Sequence, residues 1–222
     1  MRSRAAPCGV AFATVPLPTG TVTFCMTDIE GSTRLLAELG DRYGPLLEAH
    51  RDIVRAELAR YSGVEVETEG DSFFCVFSRV AQALDMAIAV QRCLAGHPWP
   101  EDRQVRVRIG LHTGEGVLSG GGYVGMDVHE VARVSAAGHG GQILLTASTH
   151  ALLDGRWPPG VGDVPLAPIA SRTCRARFRC SRSSPRGWRP AFPRFAPWRH
   201  RSTTCRRPRR RSRPRPRCGL AP

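Results

Sequence analysis

Apolar and polar positions follow one another along this chain in a pattern that predicts alternating strands and helices as far as about residue 160. The run Thr21-Val-Thr-Phe-Cys-Met26 is apolar-rich and closes on Asp28, which reads as a buried strand. Gly31-Ser-Thr33 then opens a short helix carrying Leu35 and Leu36. After Gly40, apolar residues recur every three or four positions through Tyr43, Leu46, Leu47, His50, Ile53, Val54, Leu58 and Tyr61, which predicts a long amphipathic helix stopped by Ser62-Gly63. Two short strand-like runs between Val64 and Phe77 meet at Gly70-Asp71 and predict a hairpin. A second amphipathic helix follows through Val80, Leu84, Ala87, Ile88 and Leu94, ending near Gly96-His97-Pro98.

Val105, Val107, Ile109 and Leu111 alternate with Arg106 and Arg108, so this stretch predicts a half-buried strand with a basic outer face. Ser119-Gly-Gly-Gly122 reads as a loop, 127–137 as a helix, 142–146 as a strand, and 148–153 as a last helix before Pro158-Pro159. The succession predicts an α+β sandwich, an antiparallel-rich sheet with helices packed on it. Three regions follow: a flexible N-terminus over 1–16, one domain over 17–162, and a disordered Arg/Pro-rich tail over 163–222.

Charge sharpens that division. Residues 1–160 hold 14 Arg against 18 Asp and Glu, a net of −4, whereas residues 161–222 hold 18 Arg against Asp163 alone, a net of +17. The high isoelectric point therefore belongs to the tail. A segment this basic binds nucleic acid phosphates adventitiously at low salt, but it lacks the interleaved aromatic pattern of a dedicated RNA reader. All 32 basic residues are Arg, and there is no Lys. The eight Cys include no Cys-x-x-Cys pair, which supports neither a zinc site nor a redox motif. Two early Arg before apolar residues resemble the start of a signal peptide, but Pro16 and Pro18 break the apolar part. No run approaches a membrane span, so the expectation is a soluble cytoplasmic protein.

The candidate chemistry lies in carboxylates at strand ends. Asp28 closes the first strand, immediately before the small-residue turn Ile29-Glu30-Gly31-Ser32-Thr33, and Asp71 sits in the hairpin turn. Hard oxygen ligands so fixed suit Mg²⁺ or Mn²⁺ together with phosphate oxygens. The plainer alternatives are a helix N-cap for Asp28 and a turn residue for Asp71. Glu65, Glu67 and Glu69 alternate along one strand and read, by themselves, as one acidic solvent face.

The motifs Thr27-Asp-Ile-Glu-Gly-Ser-Thr33, Gly70-Asp71, Arg108-Ile-Gly-Leu-His-Thr-Gly114 and Tyr123-Val-Gly-Met-Asp-Val-His-Glu-Val-Ala-Arg133 stand in the order found in class III nucleotidyl cyclases. The chain resembles the adenylate and guanylate cyclase catalytic domain, in its bacterial branch, from about Leu17 to about Gly162. The resemblance implies a ferredoxin-like core and formation of a 3′,5′-cyclic nucleotide and pyrophosphate from ATP, or less readily GTP. It implies two divalent ions, Mg²⁺ or Mn²⁺, on Asp28, Asp71 and the Ile29 carbonyl, with the backbone N–H groups of Glu30, Gly31, Ser32 and Thr33 around the phosphates. It also implies a homodimer whose active sites take the aspartates from one subunit and Arg133 with its helix from the other.

Some positions depart from the family pattern. His129 stands where the family carries the Asn that partners Arg133. Glu67 and Gly122 occupy the two base-reading positions, and Gly122 has no side chain to offer. The family's late triphosphate-binding Lys, in R-L-K-D-L, has no counterpart. These departures motivate a second reading, a cyclase-like nucleotide-binding regulator without turnover. The tail suggests its own explanation. Permitted codons for 168–183, read two nucleotides later, can spell DRLKDLPGPVPVFQV, and those for 200–208 can spell PVNNLPAP, both similar to family sequence. The expectation is a frame shift near residues 160–167, which the gene's nucleotides test directly.

Overall fold

A computed structural model describes residues 16–165 and 174–178. Its elements are β1 (Gly20–Ile29), α1 (Ser32–Leu39), α2 (Tyr43–Arg60), β2 (Val64–Glu69), β3 (Ser72–Phe77), α3 (Val80–Gly96), β4 (Val107–Ser119), β5 (Gly122–Val124), α4 (Met126–Ala136), β6 (Ile143–Thr146), α5 (Ala147–Leu153), β7 (Asp163–Pro165) and β8 (Cys174–Phe178). The strands form one sheet in the order β2-β3-β1-β4-β6-β8-β7, with β5 paired to β4. The β4–β6 pair is parallel and the others are antiparallel. This is the expected α+β architecture.

Strand periodicity divides the core into two layers. Cys25 and Ile29 of β1, Phe73, Cys75 and Phe77 of β3, and Ile109 and Leu111 of β4 face α2, α3 and α5 in the larger cluster. Val22, Phe24, Phe74 and Val76 point to the other face, where they meet Tyr123 of β5 and Val131 of α4. Phe24 packs edge-on against Tyr123 at 5.1 Å between ring centroids, an arrangement that favours the ring quadrupoles. Helices thus cover both faces, but α4 is the main cover of the second.

Gly110 explains how closely α4 lies against the sheet. A Cβ there would stand 2.5 Å from the Ser135 backbone nitrogen, so only glycine lets the helix backbone rest on β4. Ser135 Oγ also donates to the Met26 carbonyl of β1 at 3.3 Å.

Two expectations change. The strand read over 105–111 runs on to Ser119, and Ser119-Gly-Gly-Gly122 is the turn of a hairpin in which Ser119 pairs with Gly122. Polar and glycine residues hid the extension: the inward positions along it are His112 and Gly116 rather than apolar side chains, and Tyr123 of β5 supplies the apolar cover. The stretch expected to lack structure from 163 onward contributes β7 and β8. Here β4 occupies one edge of β6, and the backbone groups of the other edge are paired by β8. The expectations for 1–15, 166–173 and 179–222, including the shifted reading frame, lie outside the described residues.

Candidate active site

The antiparallel pairing of β1 with β3 and β4 sets Asp28 opposite Arg108, with Thr27 opposite Phe73. Asp28 Oδ1 accepts a hydrogen bond from the Ser72 hydroxyl at 3.0 Å. Its Oδ2 accepts from Arg108 Nε at 2.8 Å and from the second guanidinium nitrogen, forming a two-pronged, charge-assisted pair. Asp71 Oδ2 accepts from the Ile29 backbone N–H at 2.8 Å, which carries the β2–β3 turn onto the end of β1. The two carboxylates therefore meet. Burial raises the Asp71 pKa, the Ile29 N–H opposes the shift, and the adjacent Asp28 carboxylate adds to it. Two hard oxygen donors that repel each other this closely fit a divalent cation, which would neutralise both.

The plainer alternative for Asp28 does not hold. The N-cap of α1 is Gly31, which makes no side-chain cap, and Asp28 is occupied by Ser72 and Arg108. Beside the carboxylates lies a cavity of about 240 Å³, bordered by Glu67 and Glu69 of β2, Ser72, Arg108, and Ala132 and Ser135 of α4.

Glu67 and Glu69 reach this cavity, but Glu65 does not share their face, contrary to the alternation in the sequence. A β-bulge between Glu65 and Glu67 shifts the register, so that Glu65 pairs with Cys75 and Glu67 with Phe74. Glu65 turns to α2 and accepts from Arg55 Nε and from a second Arg55 nitrogen, both at 2.9 Å. That hydrogen bonding holds its carboxyl below the usual range.

The expected phosphate cradle is shorter than read. The Glu30 N–H donates to the Arg106 carbonyl at 2.8 Å and continues the β1–β4 ladder, so it is spent on the sheet. The Glu30 carboxylate faces His139 at 3.6 Å. Gly31, Ser32 and Thr33 remain at the helix start, where N–H groups have no intrahelical acceptor. Gly31 adopts φ 73°, which turns the chain from strand to helix.

His129 and Arg133 share the exposed side of α4. Arg133 is 64% exposed in its side chain, with Glu130 at 3.9 Å as an ion-pair neighbour. Neither borders the cavity of its own chain, and neither does Gly122, at the outer end of the β4–β5 arm.

Arg108 and Arg51 were not singled out from the sequence. Arg108 reads as one of several outward Arg on an alternating strand, and only the register with β1 puts it on Asp28. Arg51 of α2 donates twice to the Gly70 carbonyl, at 3.2 and 2.8 Å, and so steadies the turn that carries Asp71. Its signal was weak because a helix Arg is ordinarily solvent-facing.

Comparisons with known proteins bear on the family and the fold. The family model of the adenylate and guanylate cyclase catalytic domain matches residues 15–161. An uncharacterized protein of Mycobacterium tuberculosis is 38% identical over 144 residues, covering 64% of this chain and 48% of that protein, so the chain spans about half its length. An adenylate cyclase of Lachancea kluyveri is 34% identical over 155 residues, covering 59% of this chain and 8% of the yeast protein. Among solved structures, a Trypanosoma brucei adenylate cyclase in its monomeric state has a TM-score of 0.63 at 25% identity, over 75% of this chain and 92% of that one. The guanylate cyclase domain from Catenaria anguillulae, solved in complex with GTP, has a TM-score of 0.61 at 19% identity, over 72% and 95%, and supports the fold. With its paired aspartates at the end of β1 and a matching model over most of its folded part, the chain belongs to the adenylate and guanylate cyclase catalytic domain family.

Proposed function

We propose that this domain is a nucleotidyl cyclase that converts ATP, in preference to GTP, to the 3′,5′-cyclic nucleotide and pyrophosphate, working as a homodimer. The observation that carries the reading is the approach of the Asp71 carboxyl to Asp28, which itself borders a cavity with Glu67, Ser72 and Arg108. Relatives named adenylate cyclases favour ATP.

In the reaction the ribose 3′-hydroxyl releases its proton to water and its oxygen forms a bond to the α-phosphorus, as the bond from that phosphorus to the pyrophosphate oxygen breaks and its electron pair leaves with pyrophosphate. Asp28, Asp71 and the Ile29 carbonyl would hold two Mg²⁺ or Mn²⁺ ions, which supply Lewis acidity at the hydroxyl and countercharge on the triphosphate. The Arg108 guanidinium now neutralises Asp28. Arg108 borders the same cavity, and its guanidinium would bind phosphate oxygens there. The helix start at Gly31, Ser32 and Thr33 cradles phosphate, and Glu67 borders the space for the base.

Arg133 and His129 point outward from their own chain, which suits delivery to a partner's site. There Arg133 stabilises charge on the pentacoordinate phosphorus and His129 donates a hydrogen bond in place of the family Asn. The exposed apolar residues Val117, Leu118, Val124 and Met126 on the β4–β5 arm and the start of α4 supply a surface for that partner. Among the described residues no helix is long and apolar enough to cross a membrane.

A Mn²⁺-supported assay for cyclic nucleotide tests the reading: activity should appear with wild type and vanish with Asp28→Ala. Silence at high enzyme concentration, with calorimetric uptake of a Mn²⁺-ATP analogue retained, would favour the second reading of a regulator without turnover. His129 and the absence of Lys keep that second reading in play. No Mn²⁺-dependent uptake at all would end both.

A further inference from the structure

The first turn of α4 is tied to the sheet by a polar network, half-buried at Asp127 and buried at His112, that the chemistry above does not use. Asp127 lies in that turn, but it does not cap its own helix; the N-cap is Gly125, with φ 120° and no side-chain bond. The carboxylate instead reaches β4. Its Oδ1 accepts from His112 Nε2 at 2.8 Å, and its Oδ2 accepts from the Glu115 backbone N–H at 3.0 Å. Because a carboxylate can only accept, His112 carries a proton on Nε2, and its Nδ1 is hydrogen-bonded with the Thr146 hydroxyl at 3.1 Å. Thr146 is itself the N-cap of α5, accepting from the Thr149 N–H. Gly114 leaves room for the clamp, since a Cβ there would stand 2.4 Å from the Asp127 carboxyl carbon.

This network ends two residues before His129 and six before Arg133. At its other end, β4 carries Arg108, the partner of Asp28, four residues and two strand steps from His112. The buried imidazole is 7% exposed, so its orientation is fixed by these two bonds rather than by solvent. A two-point clamp at the start of a helix sets both its rotation and its height over the sheet. An error of about 1 Å in a transition-state group costs on the order of a hundredfold in rate.

We propose that Asp127 and His112 are positioning residues for cyclisation: they fix α4 so that Arg133 and His129 reach the α-phosphate in the site completed by the partner subunit. The proposal rests on the shared-site reading above, and the test separates the two. Asp28→Ala and Arg133→Ala chains should each be inactive alone, and mixing them should rebuild one intact site, with carboxylates from the second chain and Arg133 from the first. Asp127→Ala added to the Asp28→Ala chain, which donates Arg133, should lower kcat of the mixed dimer about tenfold to a hundredfold, with KM for Mn²⁺-ATP within about threefold. Added instead to the Arg133→Ala chain, it should change kcat by no more than about threefold. Asp127→Asn, which keeps one accepting oxygen, should give an intermediate loss with an unchanged melting profile, and it stands in if the alanine chain does not fold. Equal losses from both placements would mean a general structural role and overturn the proposal while sparing the shared site. No activity on mixing the parent chains would overturn the shared site and the proposal together.

Discussion

At the scale of single residues, burying a titratable side chain without a partner ties stability to pH. His50 of α2 is fully buried against Phe73, and neither ring nitrogen has a hydrogen-bond partner among the described residues. Burial lowers its pKa to about 4, aided by Arg51 and opposed by Asp28. The folded state therefore binds this proton less readily than the unfolded chain does. Stability is full above the ordinary His range and is lost as pH falls from about 6.5 toward 4, by up to about 3 kcal/mol. Urea unfolding at pH 7 and pH 4.5 should show that loss, and His50→Leu should reduce it. A wild-type loss matched by the variant would assign acid sensitivity elsewhere. Arg108 is the residue that sequence reading undervalued. Its guanidinium pairs with Asp28 and so competes with a cation for that carboxylate; Arg108→Gln should tighten Mn²⁺ binding measured by calorimetry while lowering turnover, whereas a purely structural pair would weaken both.

Elements carry the next level of constraint, because each places residues that the sequence spaces far apart. β4 is central: it pairs with β1 through Asp28↔Arg108, holds α4 at Gly110 and Asp127, and extends into the β5 arm. Gly110→Ala forces its Cβ onto the Ser135 backbone, so α4 must move. The expected cost is about 1 to 3 kcal/mol in urea unfolding, with a larger proportional loss of kcat than of nucleotide affinity. Arg51→Gln removes two donors from the Gly70 carbonyl and should loosen the Asp71 turn, raising the Mn²⁺ dissociation constant with little change in melting temperature. The major elements were legible from periodicity, including both long helices and the hairpin. The β2 bulge was not, since an inserted residue leaves no mark in a strand composed of Val, Glu and Thr. Nor was the length of β4, whose outer half places Thr113 and Gly116 at buried positions where a strand pattern calls for apolar side chains.

For the molecule as a whole, the unequal cover of the two sheet faces matters most. The face under α2, α3 and α5 is closed by the larger core, while the α4 face carries the cavity and the outward Arg133. Met126 is 68% exposed beside Val124, a poor arrangement for an isolated domain and a suitable one for a subunit contact. Met126→Asp should shift the oligomeric state measured by light scattering toward monomer and reduce turnover in parallel, while leaving the unfolding midpoint near that of wild type. A dimer that persists would move the interface to another surface.

Sequence alone determined the order of the principal elements, the strand-end placement of Asp28, the turn placement of Asp71 and the family to which the domain belongs. These follow from local rules: hydrophobic period, turn residues and motif spacing are properties of neighbouring positions. Tertiary structure decided which groups are already engaged. It gave the Glu30 N–H to Arg106, Glu65 to Arg55, Asp28 to Arg108 and Asp127 to His112, because these pairings depend on strand register and on the approach of α4 to the sheet. A hydrogen bond across 80 residues leaves no periodic trace in the chain that makes it.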